Sequence, residues 1–285
     1  MRPAYITPEF LSQFIHSSLA EDVGDGDHTT LAAIPANAIK KAKLLIKDDG
    51  ILAGVELAEQ IFLTFDPSLK VDLKLDDGTL VKKGEVGFTV EGSARSILTA
   101  ERLVLNCMQR MSAIATKTHR LNTLIQGTPA KLLDTRKTTP NFRLVEKWAV
   151  LLGGGFNHRI GLFDMIMLKD NHIDMAGGIE QAIIRTKDYL RARNKNLKIE
   201  IETRSLDEVK EVLRVGGIDT IMLDNMDLET MKKAVKLIGS TCKTEASGGI
   251  TEETIRSIAE CGVNFISVGA LTHSVKSLDL SLKAF

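Results

Sequence analysis

The sequence predicts an α/β protein: a mixed first part with an antiparallel sheet, then a barrel-like parallel sheet of six strands, open or incomplete. Three observations predict it. From about residue 131, short apolar runs alternate with amphipathic helical stretches, the pattern of buried parallel strands covered by helices. The runs end in polar residues at near-constant intervals, Glu202, Asp224, Ser247 and Gly269 being 22, 23 and 22 residues apart. A five-residue strand, two short loops and a three-turn helix add up to roughly that length. Earlier in the chain the rhythm is different, with apolar residues alternating with polar ones around Gly-containing turns.

Taken in order, PEFLSQFIHSSLA (8–20) carries apolar residues at helical spacing, and the acidic, Gly-rich EDVGDGDHTT (21–30) follows as a turn. AKLLIKDDGILAG (42–54) reads as a strand, a DDG turn and a second short strand. In 71–92, Val71, Leu73 and Leu75 share one strand face and Val86, Phe88 and Val90 another. From about Ser96 a long helix is predicted, because Ile97, Val104, Cys107, Met108, Met111, Ile114 and Ala115 follow three- and four-residue steps. Trp148, at helical spacing in LVEKWAVLLGG, is a core candidate. The six barrel strands are KLLDTRK (131–137), MIMLKD (165–170), KIEIET (198–203), TIMLDN (220–225), CKTEASGG (242–249) and NFISVGA (264–270), with helices such as SLDEVKEVLRVG and TEETIRSIAECG between them.

Composition narrows the function. Lys+Arg 37 balances Asp+Glu 37, which argues against a partner held by bulk positive charge, such as nucleic acid or an anionic membrane. No apolar run reaches the roughly 18 residues of a membrane span, and MRPAYITPEF lacks the pattern of a signal peptide. Cys107, Cys242 and Cys261 are odd in number and far apart, so neither a disulfide framework nor a thiolate zinc site is expected, and a reducing cytoplasm is.

In α/β barrels the reactive groups sit at the C-terminal ends of the strands, where all the ends converge on one mouth. Here those ends carry Asp134, Arg136 and Lys137; Lys169 and Asp170; Glu200 and Glu202; Asp224 and Asn225; Glu245 and Ser247; and Gly269. The charges segregate. Arg136, Lys137, Lys169, His158 and Arg159 form a cationic group suited to carboxylates or phosphate. Glu202 and Asp224 follow, able to hold ribose hydroxyls, bind Mg²⁺ or favour a sugar cation. Ser247, Gly248 and Gly249, directly before a predicted helix, and Gly269 form a phosphate grip, with the helix N-terminus favouring the anion. The set suits a small polyanion beside a phosphorylated sugar. Lys169 also admits a Schiff-base reading, as in class I aldolases, which needs a largely apolar setting.

The motifs ERLVLN (101–106), DTRKTTPNFR (134–143), GGGFNHRIGLFD (153–164), MLKDNHI (167–173), IEIET (199–203), IMLDN (221–225), EASGGI (245–250) and ISVGALTHS (266–274) resemble those of the quinolinate phosphoribosyltransferases, over essentially the whole chain. The resemblance implies an N-terminal open α/β sandwich over 1–115, with a C-terminal tail at 275–285 packing back on it. It also implies an incomplete α/β barrel of about six strands over 116–274. The activity implied is phosphoribosyl transfer from 5-phosphoribosyl 1-pyrophosphate to quinolinate with decarboxylation, in NAD biosynthesis. By the same resemblance Arg136, Lys137, His158, Arg159 and Lys169 bind quinolinate. Glu202 and Asp224 face the ribose and Mg²⁺, and Ser247, Gly248, Gly249 and Gly269 hold the 5-phosphate. Lys137, Lys169, Glu202 and Asp224 are the catalytic candidates, and no organic cofactor is implied. A homodimer or higher oligomer is implied too, with Arg102 entering the neighbouring site. Two positions depart from the family pattern, Asn141 and Ala113, each standing where Gly is common. A non-enzymatic member of the superfamily, such as the molybdenum-transport-associated proteins, would keep the barrel and lose members of the basic group; all of them are present here.

Overall fold

The computed structural model describes residues 2–285, in two compact units. The first unit comprises the chain up to His119, Thr138–Gly154 and Leu271–Phe285. The second comprises Arg120–Lys137 and Gly155–Ala270. The sequence places 116–274 together in the barrel; of these, residues 116–119, 138–154 and 271–274 group with the first unit.

The first unit opens with helices α1 (Pro8–Val23) and α2 (His28–Ala33). The side chains of Thr7 and Asp27 cap them, accepting from the N–H groups of Phe10 and Thr30. Strands β1 (Ile39–Ile46) and β2 (Gly50–Ile51), helix α3 (Val55–Phe65) and strands β3 (Lys70–Leu73), β4 (Leu80–Val81) and β5 (Val86–Ser93) follow. The DDG turn before β4 has a use beyond turning: the Asp77 carboxylate accepts from the backbone N–H groups of Gly54, Val55 and Glu56, three of the four donors a helix start leaves unmet. Helix α4 (Ala94–Leu124) is the long one the periodicity predicts, and its seven predicted apolar positions are all buried.

The antiparallel sheet runs β12–β1–β5–β3, where β12 (Leu280–Ala284) is the C-terminal tail. Leu282 pairs with Leu44, and Ala42 with Val90 on the other side. Phe88 and Val90 are fully buried, as the alternation predicts. The predicted face of β3 is not, Leu73 being 37% exposed. β3 is a sheet edge, so pairing on one side fixes it without burying it.

In the second unit, β6 (Lys131–Leu133) starts the parallel sheet, and the chain then returns to the first unit for α5 (Arg143–Leu152). Strands β7 (Ile166–Leu168), β8 (Ile199–Thr203), β9 (Thr220–Asp224), β10 (Lys243–Ser247) and β11 (Phe265–Ser267) complete it. Helices α6 (Asp170–Ala176), α7 (Ile179–Ala192), α8 (Leu206–Val215), α9 (Leu228–Ile238) and α10 (Ile255–Ala259) follow their strands, and α11 (Ala270–His273), after β11, leads the chain back into the first unit. The order is β6–β11–β10–β9–β8–β7, all parallel. β6 and β7 do not pair, so the sheet is an unclosed barrel. The free side of β6 carries one isolated bridge, with Phe156. Among the described residues no helix is long and apolar enough to cross a membrane.

Candidate active site

Parallel strands bring their C-terminal ends to one side, and register decides which side chains meet. Ser247 is the direct neighbour of Asp224, and Glu202 lies beside Met222, two residues short of Asp224. The β8, β9 and β10 ends thus place Glu202, Asp224 and Ser247 along one rim.

The exit of β6 and the loop from Gly155 to Met165 form the cationic side. Asp134 is fully buried at the end of β6. Its two oxygens accept from the His158 backbone N–H at 2.8 Å and the Asn157 side chain at 2.7 Å. Arg159 is anchored through its guanidinium to the Met165 carbonyl at 3.2 Å and the Met167 sulfur at 3.6 Å. Burial holds its pKa below the usual arginine value, with the Arg136 charge adding to the effect and Glu200, Asp164 and Glu202 opposing it. Lys137 is exposed next to Arg136 in the chain.

Lys169 follows β7. Its ammonium donates to Glu202 Oε1 at 3.1 Å, while the Asp170 N–H donates to Oε2 at 3.2 Å. The lysine side chain is 47% exposed. A half-solvated, ion-paired lysine lacks the apolar setting of an imine-forming one. His172, whose motif gave it no role, accepts the Lys169 N–H through Nδ1 and so fixes the start of α6. Asp224 accepts from its neighbour Asn225 at 2.7 Å.

The Ser-Gly-Gly segment corrects one expectation. No helix begins at it: α10 starts only at Ile255 and is five residues long, so a helix dipole does not serve an anion there. The loop itself has the required shape. Gly248 has φ +99°, and a Cβ there would collide with the Asn225 side chain; Gly249 has φ +58° with open space in front of it. Backbone N–H groups, not a helix end, are what this turn offers a phosphate. Gly269 lies just past β11, directly before the four-residue α11.

Two residues that sequence reasoning named as strand-end polar groups, without assigning them to the site, are buried carboxyl groups beneath it. Glu200 and Glu245 are 2% and 1% exposed. Each lies two residues before an assigned group on its strand, Glu202 and Ser247, and so on the same face; that offset was the available signal. His158 Nε2 lies 3.0 Å from Glu200 Oε2 and 3.6 Å from Glu245 Oε2. Burial pushes both carboxyls up to about 8.

Arg102 is exposed on α4, in the first unit. Asn141 has φ +61°, the conformation that makes glycine common there and that asparagine tolerates. Ala113 is buried in α4.

Comparisons agree along the whole chain. The family described as quinolinate phosphoribosyl transferase, C-terminal domain, matches residues 114–283, and its N-terminal domain matches 27–112. The chain is 51% identical to the chloroplastic carboxylating nicotinate-nucleotide pyrophosphorylase of Arabidopsis thaliana, over 96% of this chain and 82% of that one. It is 48% identical to a mitochondrial decarboxylating quinolinate phosphoribosyltransferase of Nicotiana glauca, over 99% and 84%. The solved nicotinate-nucleotide pyrophosphorylase of Francisella tularensis superposes with a TM-score of 0.91 at 39% identity, covering 98% of both chains.

Proposed function

The chain belongs to the quinolinate phosphoribosyltransferase family, and from that premise we infer how its own residues carry the family reaction at the mouth of the six-stranded sheet. The enzyme transfers the phosphoribosyl group of 5-phosphoribosyl 1-pyrophosphate to quinolinate with decarboxylation. The products are nicotinate mononucleotide, pyrophosphate and CO₂, in NAD biosynthesis. What supports the residue assignment is the fixed loop that carries Arg159 beside the exit of β6, together with Glu202, Asp224 and Ser247 at the ends of β8, β9 and β10. A pyridine diacid needs two fixed cations at one end and freedom at its ring nitrogen.

In this reading Arg136 and Arg159 grip the two quinolinate carboxylates, with Lys137 and Lys169 completing the positive field and His158 shaping the floor. Glu202, held by Lys169 and the Asp170 N–H, and Asp224 face the ribose. As the bond to pyrophosphate lengthens, the anomeric carbon gains oxocarbenium character, and the two carboxylates favour that charge. Attack by the pyridine nitrogen leaves a cationic ring. Electrons from the breaking carbon–carboxylate bond stay on the ring carbon, stabilised by the adjacent cationic nitrogen, as CO₂ departs, and that carbon then takes a proton from water to give nicotinate mononucleotide. Ser247, Gly248, Gly249 and Gly269 hold the 5-phosphate through loop N–H groups.

The donor set of Glu202 and Asp224 is all oxygen, which fits Mg²⁺. When bound with the pyrophosphate substrate, Mg²⁺ supplies neutralisation of the leaving group's charge. No organic cofactor enters the scheme.

The active form in this reading is a homodimer in which Arg102, exposed on α4, completes the neighbour's site. Three free cysteines suit a reducing compartment such as the cytoplasm, although relatives bear chloroplastic and mitochondrial names.

Arg136→Ala tests the assignment. Removing one charge-assisted grip on a carboxylate should raise the quinolinate KM and lower kcat/KM by roughly 10- to 100-fold, as loss of about 1.5–3 kcal/mol requires. KM for the sugar pyrophosphate should stay within a few-fold. Unchanged quinolinate kinetics would remove Arg136 from the site.

A further inference from the structure

Four consecutive backbone N–H groups in the loop between α5 and β7 are each satisfied by a side chain. Asp134 accepts from His158 N–H, His158 Nδ1 from Arg159 N–H at 2.7 Å, and the Asp164 carboxylate from Ile160 and Gly161 N–H at 2.7 and 2.8 Å. Loops usually leave such donors to water. Here the backbone that carries Arg159 is tied down at every step.

The Arg159 contact fixes the chemistry of His158. A nitrogen that accepts a hydrogen bond carries no proton, so Nδ1 is the lone-pair nitrogen and Nε2 bears the hydrogen. Nε2 is also the atom that faces Glu200 at 3.0 Å and Glu245 at 3.6 Å. The three side chains lie close enough to suggest a metal centre, but a metal on Nε2 needs the opposite tautomer, with the hydrogen on Nδ1. That tautomer would turn Nδ1–H against Arg159 N–H. The same conflict excludes a doubly protonated ring.

We propose that Glu200 and Glu245 are positioning residues. With Glu200 accepting the Nε2–H of His158 and Glu245 adding its carboxylate 3.6 Å from the same nitrogen, they lock the imidazole in the one tautomer whose Nδ1 can hold the Arg159 backbone, and so set the guanidinium that receives a quinolinate carboxylate. Glu200 is the principal acceptor and Glu245 orients the pair from β10. The inference rests on the assignment of Arg159 to quinolinate made above, and concerns what keeps that residue in register.

Nitrogen-15 NMR of labelled protein, with His158→Asn identifying the resonance, reads the tautomer directly and without substrate. The unmodified chain should show a pyridine-like Nδ1 and a pyrrole-like Nε2. Glu200→Leu removes the acceptor; it should populate the other tautomer and raise quinolinate KM by tenfold or more, with KM for the sugar pyrophosphate within twofold. Glu200→Gln retains a carbonyl acceptor and should restore both readouts. Should Glu200→Leu not fold, Glu200→Gln and Glu245→Gln still give the tautomer and the KM pair. A Nδ1-protonated or doubly protonated His158 in the unmodified protein overturns the proposal. So does a Glu200→Leu variant that folds with an unchanged quinolinate KM while Arg159→Ala raises it. If Arg159→Ala has no effect, the pocket assignment fails together with this one.

Discussion

Cys107 illustrates how burial sets reactivity at a single atom. It sits in the apolar face of α4, 2% exposed, and burial alone pushes its thiol up to about 12. The thiolate is the nucleophilic form, so Cys107 should resist alkylation at pH 8 in the folded protein, whereas the partly exposed Cys242 is labelled first; mass spectrometry of the labelled peptides decides. Glu245 shows the opposite dependence of stability on pH from an ordinary surface acid. Burial first, and the Glu200 charge second, raise its pKa from about 4.5 in the unfolded chain to about 8 in the folded one. A raised acid contributes stability that is full below the unfolded value and is lost as pH climbs through the folded one. Urea midpoints should therefore fall between pH 5 and pH 9, and Glu245→Gln should flatten that fall. A variant with the same slope as the parent would assign the loss to other groups.

At the level of elements, the six parallel strands were legible because short runs, most of them rich in buried apolar residues, alternate with helices and end in polar residues at near-constant intervals. Helix α4 was legible because one stripe of it is buried. What escaped was set by local turns and by partners distant in sequence. α10 is short because the segment between Gly249 and Ile255 turns instead of coiling, with Thr254 Oγ1 accepting the Thr251 N–H. β3 leaves its apolar side partly exposed by lying at an edge, which alternation alone does not tell. Arg110, which pattern alone would leave on a wet helix face, is paired with the fully buried Glu146 on α5. That carboxylate takes Arg110 Nε and Nη2 on one side and the Thr139 N–H and hydroxyl on the other. Arg110 Nη2 also meets the Thr272 carbonyl. The network ties α4, α5 and the turn before Asn141 within the first unit. Glu146→Ala leaves a half-buried guanidinium without its carboxylate, at a cost of about 1–3 kcal/mol, which scanning calorimetry should record as a Tm lower by roughly 5 °C. For the site, Arg136, Arg159, Lys169, Glu202, Asp224 and Ser247 were legible as strand-end or loop chemistry. Glu200 and Glu245 were not assigned, because their role exists only where β8, β10 and the 157–161 loop meet.

Across the whole molecule, the dimer reading makes a quantitative demand. If each site needs its own Lys169 and the neighbour's Arg102, then Arg102→Ala and Lys169→Ala should each be nearly inactive alone. Mixed one to one and allowed to exchange subunits, half the dimers carry both variants, each with one intact site, so about a quarter of full activity should return. No recovery after exchange, verified by native mass spectrometry, would argue that Arg102 acts within its own chain or not at all.

The missing β6–β7 pairing has its own signature in time. A closed ring would shelter every strand equally, but here β9 and β10 are flanked on both sides, whereas β7 has one neighbour and β6 has one neighbour plus the Phe156 stub, whose N–H and carbonyl bond Leu132 and Asp134. Lys131 also lies over the Phe156 ring, 4.8 Å from its centre. Deuterium should enter the amides of β7 soonest, reach β6 later because the aromatic stub shields it, and arrive last in the middle pair. Thermal opening of the sheet thus starts at one seam, on the side of the lysine that holds Glu202.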